Sequence, residues 1–287
     1  MRNSANDGWI DLRTLTGGIT STADATINSV TVGKGANSVS NNTALGENAL
    51  DASVSGNDNT AIGKNALTSL TSGASNTAIG VNCLDAATSG GNNSVLGHEA
   101  GSGITTGSNN TLIGLSAGAN ITTASLNTAV GKDALKNNTD GTRNVAIGAL
   151  ALDANTTANN NTAVGYNSLT ENTTGNSNVA FGTFALDANT TANDNTAIGY
   201  GTATSNTTGA SNTAIGRSAL SSNSTGSNNT CIGHGAMDAN TTASNNTAIG
   251  RSALEANTTG SSNAAVGSLS LKANTTGFYN SALGHGS

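Results

Sequence analysis

Histidine, aspartate and cysteine are the residues of this chain whose types suit metal binding, acid–base catalysis or nucleophilic attack. His98, His234 and His285 each directly follow a glycine. A second set of side chains, five aspartates, lies five residues after such a glycine: Asp51, Asp85, Asp153, Asp187 and Asp238. Histidines share a metal, and paired carboxylates act on a glycoside, only when the fold brings them to one site. The chemistry therefore depends on the elements that carry these residues.

Those elements are copies of one repeat, marked by fifteen glycines at intervals of 17 residues without a single insertion. An asparagine stands four residues before each glycine, and Ile, Val, Leu or Phe stands directly before it. The glycines are Gly46, Gly63, Gly80, Gly97, Gly114, Gly131, Gly148, Gly165, Gly182, Gly199, Gly216, Gly233, Gly250, Gly267 and Gly284. A period without slips indicates stacked coils in a rod.

The period and the residue types favour strands, because 17 residues are too few for the common helix-pair repeats. Thr-Ala-Ile is a β-favouring run, and the glycine after it allows a sharp turn. We therefore predict an all-β chain, a parallel β-solenoid or β-roll of fifteen 17-residue coils, roughly 70 Å long. Stacked copies predict amide ladders and a glycine column, represented by Asn59, Asn76, Asn127, Asn161, Asn195, Gly63, Gly80, Gly131, Gly165 and Gly199.

Two further columns complete the predicted coil. An Ala-Leu pair such as Ala66-Leu67 or Ala219-Leu220 follows the glycine by three to four residues and is expected to form the opposing wall. The residue ten positions after the glycine is always Gly or Ala, which indicates a turn with a close backbone approach. Such coils have a thin core, consistent with a chain of 287 residues that is only 2% aromatic and has no proline.

A rod of this kind separates the chemical residues. The three histidines are eight and three coils apart, which excludes a shared intrachain site, although three copies of one histidine could meet on a trimer axis. Cys83 and Cys231 replace alanines and are too far apart to pair, at roughly 40 Å. The aspartates are interpreted as a solvated turn column. We expect no enzyme activity, no metal site and no cofactor.

Composition and charge argue against a nucleic-acid-binding protein and against a membrane-spanning protein. The net charge is -6, and the 10 basic residues are scattered, so we expect no nucleic-acid binding. No apolar run is long enough to span a bilayer, and the N-terminus lacks the apolar stretch of a signal peptide, so we expect no membrane insertion.

One column varies freely, the residue directly after the glycine. Variation in size and charge predicts exposure, either as an unconstrained solvent stripe or as a surface that contacts a glycan or another fibre protein. The candidate contact residues are Lys64, His98, Tyr166, Tyr200, Arg217, His234 and Arg251. In the strand itself, Thr and Ile of the motif point to the face opposite Asn, Ala and Gly. One apolar set is therefore expected to face a neighbouring chain.

The unit Asn76-Thr77-Ala78-Ile79-Gly80 resembles the head repeat of trimeric autotransporter adhesins, and the 17-residue form resembles repeats of bacteriophage tail fibres and of large bacterial surface proteins. Ser29-Val30-Thr31-Val32-Gly33 is closer still to the autotransporter form and predicts a transitional coil. The segment Arg2–Leu12 resembles fibre connector segments. The resemblance implies a left-handed β-roll of three chains, an intertwined or side-by-side homotrimer.

These resemblances imply a structural shaft of a phage tail fibre, in the virion, that presents a host-attachment surface. Its partners would be itself, a host-surface glycan, or other fibre and tail proteins. Residues 1–28 would be a connector, and residues 29–287 the shaft, expected to continue beyond Ser287. The alternatives are an extracellular bacterial adhesin or fibril, and an ice- or mineral-binding solenoid that uses threonine pairs such as Thr156-Thr157 and Thr173-Thr174.

Overall fold

The computed structural model describes residues 24–287 of the chain. The connector-like segment Arg2–Leu12 lies outside the described residues. The described part has one short 3₁₀ helix, Ala36–Ser38. Its strands are Ala25–Ile27 (β1), Val30–Gly33 (β2), Thr43–Gly46 (β3), Thr60–Ile62 (β4), Thr77–Ile79 (β5), Ser94–Leu96 (β6), Thr111–Ile113 (β7), Thr128–Val130 (β8), Val145–Ile147 (β9), Thr162–Val164 (β10), Val179–Phe181 (β11), Thr196–Ile198 (β12), Thr213–Ile215 (β13), Thr230–Ile232 (β14), Thr247–Ile249 (β15), Ala264–Val266 (β16) and Ser281–Leu283 (β17).

The fifteen strands from β3 to β17 form one parallel sheet in which each strand pairs with the next one along the chain. The register offset is 17 residues, as in Thr60↔Thr77 and Thr196↔Thr213. The prediction of an all-β parallel solenoid is therefore confirmed. The chain makes about 14 turns rather than fifteen, because fifteen strands are joined by fourteen returns.

The chain enters the solenoid through antiparallel strands. β1 pairs antiparallel with β2, and β2 pairs antiparallel with β3. The expected transitional coil over Ser29–Gly33 is therefore wrong in strand direction: this segment is part of a hairpin. The Asp24 carboxylate accepts hydrogen bonds from the backbone N–H groups of Lys34 and Gly35, both at 2.6 Å. The hairpin covers the free edge of β3, which would otherwise present unpaired backbone groups.

The core is a narrow column between the strand and the Ala-Leu wall. The central residue of nearly every strand is fully buried, as Ala61 and Ala146 show, and so are the wall residues Ala134 and Leu135. The predicted opposing wall and the predicted alternation are both confirmed, because the flanking strand residues point outward. Two consecutive apolar residues can both be buried in the wall because the wall is a turn and not a strand.

The motif glycine has two separate reasons to be glycine. Its φ lies between 126° and 155° throughout the column, a conformation that L side chains rarely adopt. It also packs against the next turn: a Cβ on Gly131 would lie 2.6 Å from the carbonyl oxygen of Gly148. Both constraints recur at every stacked rung, which explains the unbroken column.

Three other positions of a turn adopt the left-handed conformation without being confined to glycine. They lie five residues before the motif glycine, and two and four residues after it, as in Asn160 (φ 60°), Asn167 (φ 52°) and Leu169 (φ 55°). Asparagine, aspartate and serine tolerate this conformation, whereas leucine does so at a cost of about 1–2 kcal/mol. Leu169 is fully buried, so we attribute its conformation to the packing of its side chain in the core.

Two turns fill the core differently. Gly101 and Gly118 replace the wall leucine, and the bulk comes instead from Ile104, Ile121 and the strand residue Leu112, all fully buried. A Cβ on Gly118 would lie 2.8 Å from Cδ1 of Ile121 and 2.9 Å from Cδ2 of Leu112. In these two turns, larger side chains at other positions therefore supply the apolar volume that the wall leucine supplies elsewhere, and the core stays filled.

Candidate functional site

The asparagine column forms the predicted ladder inside the rod. The backbone N–H of Asn178 donates to Oδ1 of Asn161 at 2.9 Å, and Nδ2 of Asn161 donates to the carbonyl oxygen of Gly175 at 2.8 Å. The same pattern links Asn59 to Asn76, and Asn110 to Asn127. Asn161 is buried and is bonded to the preceding turn through its backbone N–H, which donates to Oδ1 of Asn144 at 3.0 Å, and to the following turn through its amide. The column is structural, as the sequence predicts.

A second asparagine ladder, which the sequence analysis missed, runs through the later turns. Its members lie seven residues after the motif glycine and are Asn138, Asn155, Asn172, Asn189, Asn206, Asn223, Asn240, Asn257 and Asn274. Nδ2 of Asn155 donates to Oδ1 of Asn138 at 2.7 Å. The two ladders meet at the Gly/Ala turn, where the carbonyl oxygen of Ala158 accepts from both Asn144 and Asn155. In earlier turns the same column holds Leu70, Ala87, Ile104 and Ile121.

The paired threonines divide into a structural and an exposed row. Oγ1 of Thr156 donates to the carbonyl oxygen of Thr173 at 3.1 Å, and Thr173 repeats the bond to Thr190 at 3.0 Å. The following residue is exposed in eight successive turns: Thr157, Thr174, Thr191, Thr208, Thr225, Thr242, Thr259 and Thr276. Only the second row therefore offers a regular hydroxyl array to solvent.

The variable column after the glycine lies on the surface. Its seven candidate contact residues, Lys64, His98, Tyr166, Tyr200, Arg217, His234 and Arg251, are all exposed. The structure does not bring the histidines together: His98 and His234 are eight turns apart, or about 38 Å. Among residues 24–287 there is no group of three or more potential metal ligands.

Three consecutive turns carry four of the chain's seven aromatic residues, Tyr166, Phe181, Phe184 and Tyr200. Tyr166 and Phe184 meet edge to face with their centroids 5.6 Å apart, and Phe184 meets Tyr200 in the same way at 6.1 Å. The tyrosines occupy the variable column, whereas Phe184 belongs to the neighbouring left-handed column two residues after the glycine. The sequence analysis singled out both tyrosines but missed Phe184, because its column also holds other large apolar residues, Leu150 and Leu269.

A shallow groove opens beside this aromatic cluster, with a volume of about 400 Å³. Phe184 and Tyr200 form one side, and Gly201 replaces the bulk of Phe184 on the next turn. The remaining lining is polar and consists of Asp187, Thr204, Ser205, Ser218, Ser221 and Ser222. The groove therefore combines an aromatic wall with hydroxyl groups and one carboxylate.

The aspartate column is less solvated than the sequence suggests. Asp85, Asp153 and Asp187 are half-buried, and the Oδ1 atom of each is buried with no hydrogen-bond partner among the described residues. Burial is the main cause that raises the pKa of each of these carboxyls above the ordinary value of 3.8. The expectation of a fully solvated column is wrong for these three, because each is half-buried with one carboxylate oxygen shielded from solvent.

The cysteines lie in the core. Cys83 and Cys231 are both free and fully buried in alanine columns, as expected. Burial raises the pKa of Cys83 to about 12 and also raises the pKa of Cys231. Both thiols therefore stay protonated at neutral pH and serve as small core side chains.

An apolar stripe runs along the outside of the sheet. The residues directly before the motif glycines point away from the core and are Leu45, Ile62, Ile79, Leu96, Ile113, Val130, Ile147, Val164, Phe181, Ile198, Ile215, Ile232, Ile249, Val266 and Leu283. Nine are exposed and the others half-buried. Thr60 and Thr196 represent the outward threonines that flank this aliphatic stripe on one side. Within a single solenoid these aliphatic side chains therefore remain in contact with solvent.

The fold defines the class of the protein: an all-β repeat protein built as a parallel β-solenoid of about 14 turns of 17 residues. No protein-family model, no curated protein and no solved structure matches the chain. No helix in the described part is long and apolar enough to cross a membrane.

Proposed function

We propose that the chain is a structural fibre shaft that works as an assembly of several copies. The observation that carries this proposal is the aliphatic stripe, which continues over all fifteen strands. Scattered surface aliphatics are ordinary, but a contiguous apolar row along a whole molecule marks an interface. We expect no enzyme activity, no cofactor and no nucleic-acid partner.

The period of the stripe supports a second copy of this chain as its partner. The aliphatic side chains recur once per turn, at about 4.8 Å. A surface that meets them rung by rung must have the same rise over the same length, and a parallel copy of the solenoid does. We propose three copies because the segment 76–80 resembles the head repeats of trimeric autotransporter adhesins.

The fibre would be the shaft of a bacteriophage tail fibre in the virion, and its exposed variable column would contact a host-surface glycan or other tail proteins. An extracellular bacterial adhesin or fibril is the alternative of the same structural class. In both cases weak contacts repeated on identical faces would give avidity. A virion and a cell surface are distinguished by immunolabelling of purified phage particles and of intact bacteria.

An ice- or mineral-binding solenoid is the candidate from a different class. It is favoured by the exposed row from Thr157 to Thr276, which is regular over eight turns. The row is interrupted at Asp140 in the preceding turn. Thermal hysteresis at high protein concentration would support the ice-binding candidate, and its absence would remove that candidate.

The test of the fibre is the mass in solution of the chain and of a variant that carries Ile198→Glu and Ile215→Glu. Both residues point outward, so the solenoid should fold while its association is lost, because charges are costly to bury in an apolar interface. Thr174→Glu with Thr191→Glu, on the exposed threonine row, is the matched control. Light scattering should show an oligomer for the parent and the control, and a monomer for the stripe variant. A parent that is monomeric at micromolar concentration would contradict the proposal.

A further inference from the structure

The groove beside Phe184 brings aromatic rings and hydroxyl groups together on the surface of the rod. Tyr200 is 56% exposed and lies at the edge of the groove, so one of its faces is open to a ligand. Phe184 contacts both neighbouring tyrosines, and these contacts hold the three rings in one arrangement. The volume of the groove, about 400 Å³, lies within the range of small-ligand sites, roughly 300–1,000 Å³.

The lining chemistry fits a sugar ring. The C–H groups on one face of a pyranose carry partial positive charge, and they stack on the negative face of an aromatic ring. The sugar hydroxyls then need donors and acceptors at the sides, which the hydroxyls of Ser205, Ser218 and Ser222 supply in this groove, whereas the Thr204 hydroxyl already donates to the carbonyl oxygen of Phe184 at 3.3 Å. An aliphatic ligand would leave those polar groups without partners, so the groove favours a carbohydrate.

Two arginines continue from the groove along the rod, with one histidine between them. Arg217, His234 and Arg251 follow Tyr200 in the variable column on successive turns, spaced by about 4.8 Å. Among residues 24–287 neither arginine forms an ion pair, although Arg251, after Ser252 and Lys272, helps to lower the pKa of the nearby Glu255 carboxyl. In a chain with a net charge of -6, a row of this kind attracts a ligand with repeated negative charge.

We propose that this face binds an acidic polysaccharide. One sugar ring stacks on Tyr200 beside Phe184, and acidic groups on the following residues of the chain pair with Arg217 and Arg251. The two arginines favour an acidic over a neutral polymer, and their separation by two turns along the rod favours an extended one. This inference rests on the proposed function, because it identifies the class of surface to which the fibre would attach.

The experiment measures binding of the full chain to four defined polymers by calorimetry: polygalacturonate and its methyl ester, and dextran sulfate and dextran. Each pair shares a backbone and differs in charge. The variants are Tyr200→Ala, which removes the stacking ring, and Arg217→Ser with Arg251→Ser, which removes the charges. The matched controls are Tyr279→Ala and Lys34→Ser with Lys272→Ser, which remove one exposed tyrosine and two exposed positive charges outside the variable column.

We expect at least one acidic polymer to bind about tenfold more tightly than its neutral partner, with affinity that falls as salt is added. Tyr200→Ala and the double arginine variant should each weaken that binding about tenfold, and the controls should stay within about twofold. No binding to either acidic polymer, or equal loss in the controls, would overturn the proposal. The mass of the same samples separates the two proposals: an oligomer that does not bind contradicts only this one, and a monomer that binds contradicts only the fibre.

Discussion

At the scale of the residue, two residues of the repeat are fixed by contacts to the next turn. Gly131 is fixed because its φ of 138° and the nearby Gly148 carbonyl both exclude a Cβ. Asn161 is fixed because its buried amide bonds backbone groups of two later positions, Gly175 and Asn178. Each constraint acts between turns, so a single substitution damages the stacking and not just one coil.

The glycine column predicts that adding a single methyl group to a motif glycine strongly destabilises the fold. Gly131→Ala should destabilise the fold by about 2–4 kcal/mol, because the methyl group combines a strained φ with a contact to the next carbonyl. Gly235→Ser is the control: its φ is also positive, but serines occupy the same column on both neighbouring turns, at Ser218 and Ser252. Denaturant unfolding of both variants measures the difference, and equal stability of the two would contradict the explanation.

The asparagine ladder predicts the cost of an unsatisfied hydrogen bond. Asn161→Ala removes the donor to Gly175 and the acceptor of the Asn178 N–H, both inside the rod. The loss should be about 2–4 kcal/mol, since each buried group left without a partner costs about 1–3 kcal/mol. Thr174→Ala, on the exposed row, should change stability by less than about 0.5 kcal/mol. Thermal unfolding that is unchanged in Asn161→Ala would show that water replaces the ladder contacts.

The half-buried aspartates predict the direction of a pH effect. Burial raises the pKa of Asp153 above its ordinary value of 3.8. At a pH between the ordinary and the raised pKa, the folded state therefore holds a proton that the unfolded state has released. Stability therefore falls as pH rises from the ordinary aspartate pKa through the raised value, and the loss is complete above it. Asp153→Asn should be more stable than the parent at neutral pH, with a smaller fall over that window. Melting curves at pH 3.5 and pH 7, with the exposed Asp51→Asn as control, test this; an Asp153→Asn variant that is less stable at neutral pH would contradict it.

At the scale of the element, a turn conserves core volume and not the identity of each column. Leu135 fills the wall of one turn, whereas Gly118 leaves that position empty and Leu112 and Ile121 fill the space. Side chains of one turn also occupy space in the next, because the strands are in register. Neighbouring substitutions should therefore be strongly coupled.

This coupling predicts that two further substitutions restore the stability lost in Gly118→Leu. Gly118→Leu alone should cost about 1–3 kcal/mol, because its side chain would overlap Leu112 and Ile121. Addition of Leu112→Ala and Ile121→Asn, the residue types of the turns around Leu135, should recover most of that loss. The triple variant should also extend the second amide ladder to Asn138. Unfolding of the single, double and triple variants gives the coupling energy, and additive effects would show that the columns are independent.

Much of the turn could be predicted from its sequence, because one constraint repeated fifteen times leaves a visible column. The strand, the wall and the ladder through Asn161 were all predictable for this reason. The ladder through Asn155 was not, since it starts only at Asn138 and looks like part of a polar loop. The groove at Phe184 depends on contacts between three successive turns, and such contacts leave no periodic signal.

At the scale of the whole molecule, the rod carries different chemistry on different sides. The aliphatic stripe lies on the outer face of the sheet, and the variable column begins two residues further along, beyond the motif glycine. If copies associate through the stripe, the variable column remains at the rim of each interface. The assembly would then repeat the groove at Tyr200 once per chain, and multivalent contact would raise the affinity for a polymeric ligand.

The central claim is that several copies of this solenoid pack through the aliphatic stripe. A three-dimensional reconstruction of the particle by electron cryomicroscopy tests it most directly. We predict parallel solenoids, three per particle, each about 67 Å long, with Ile198 and Ile215 in their shared interior. A single solenoid with this stripe in contact with solvent alone would contradict the account.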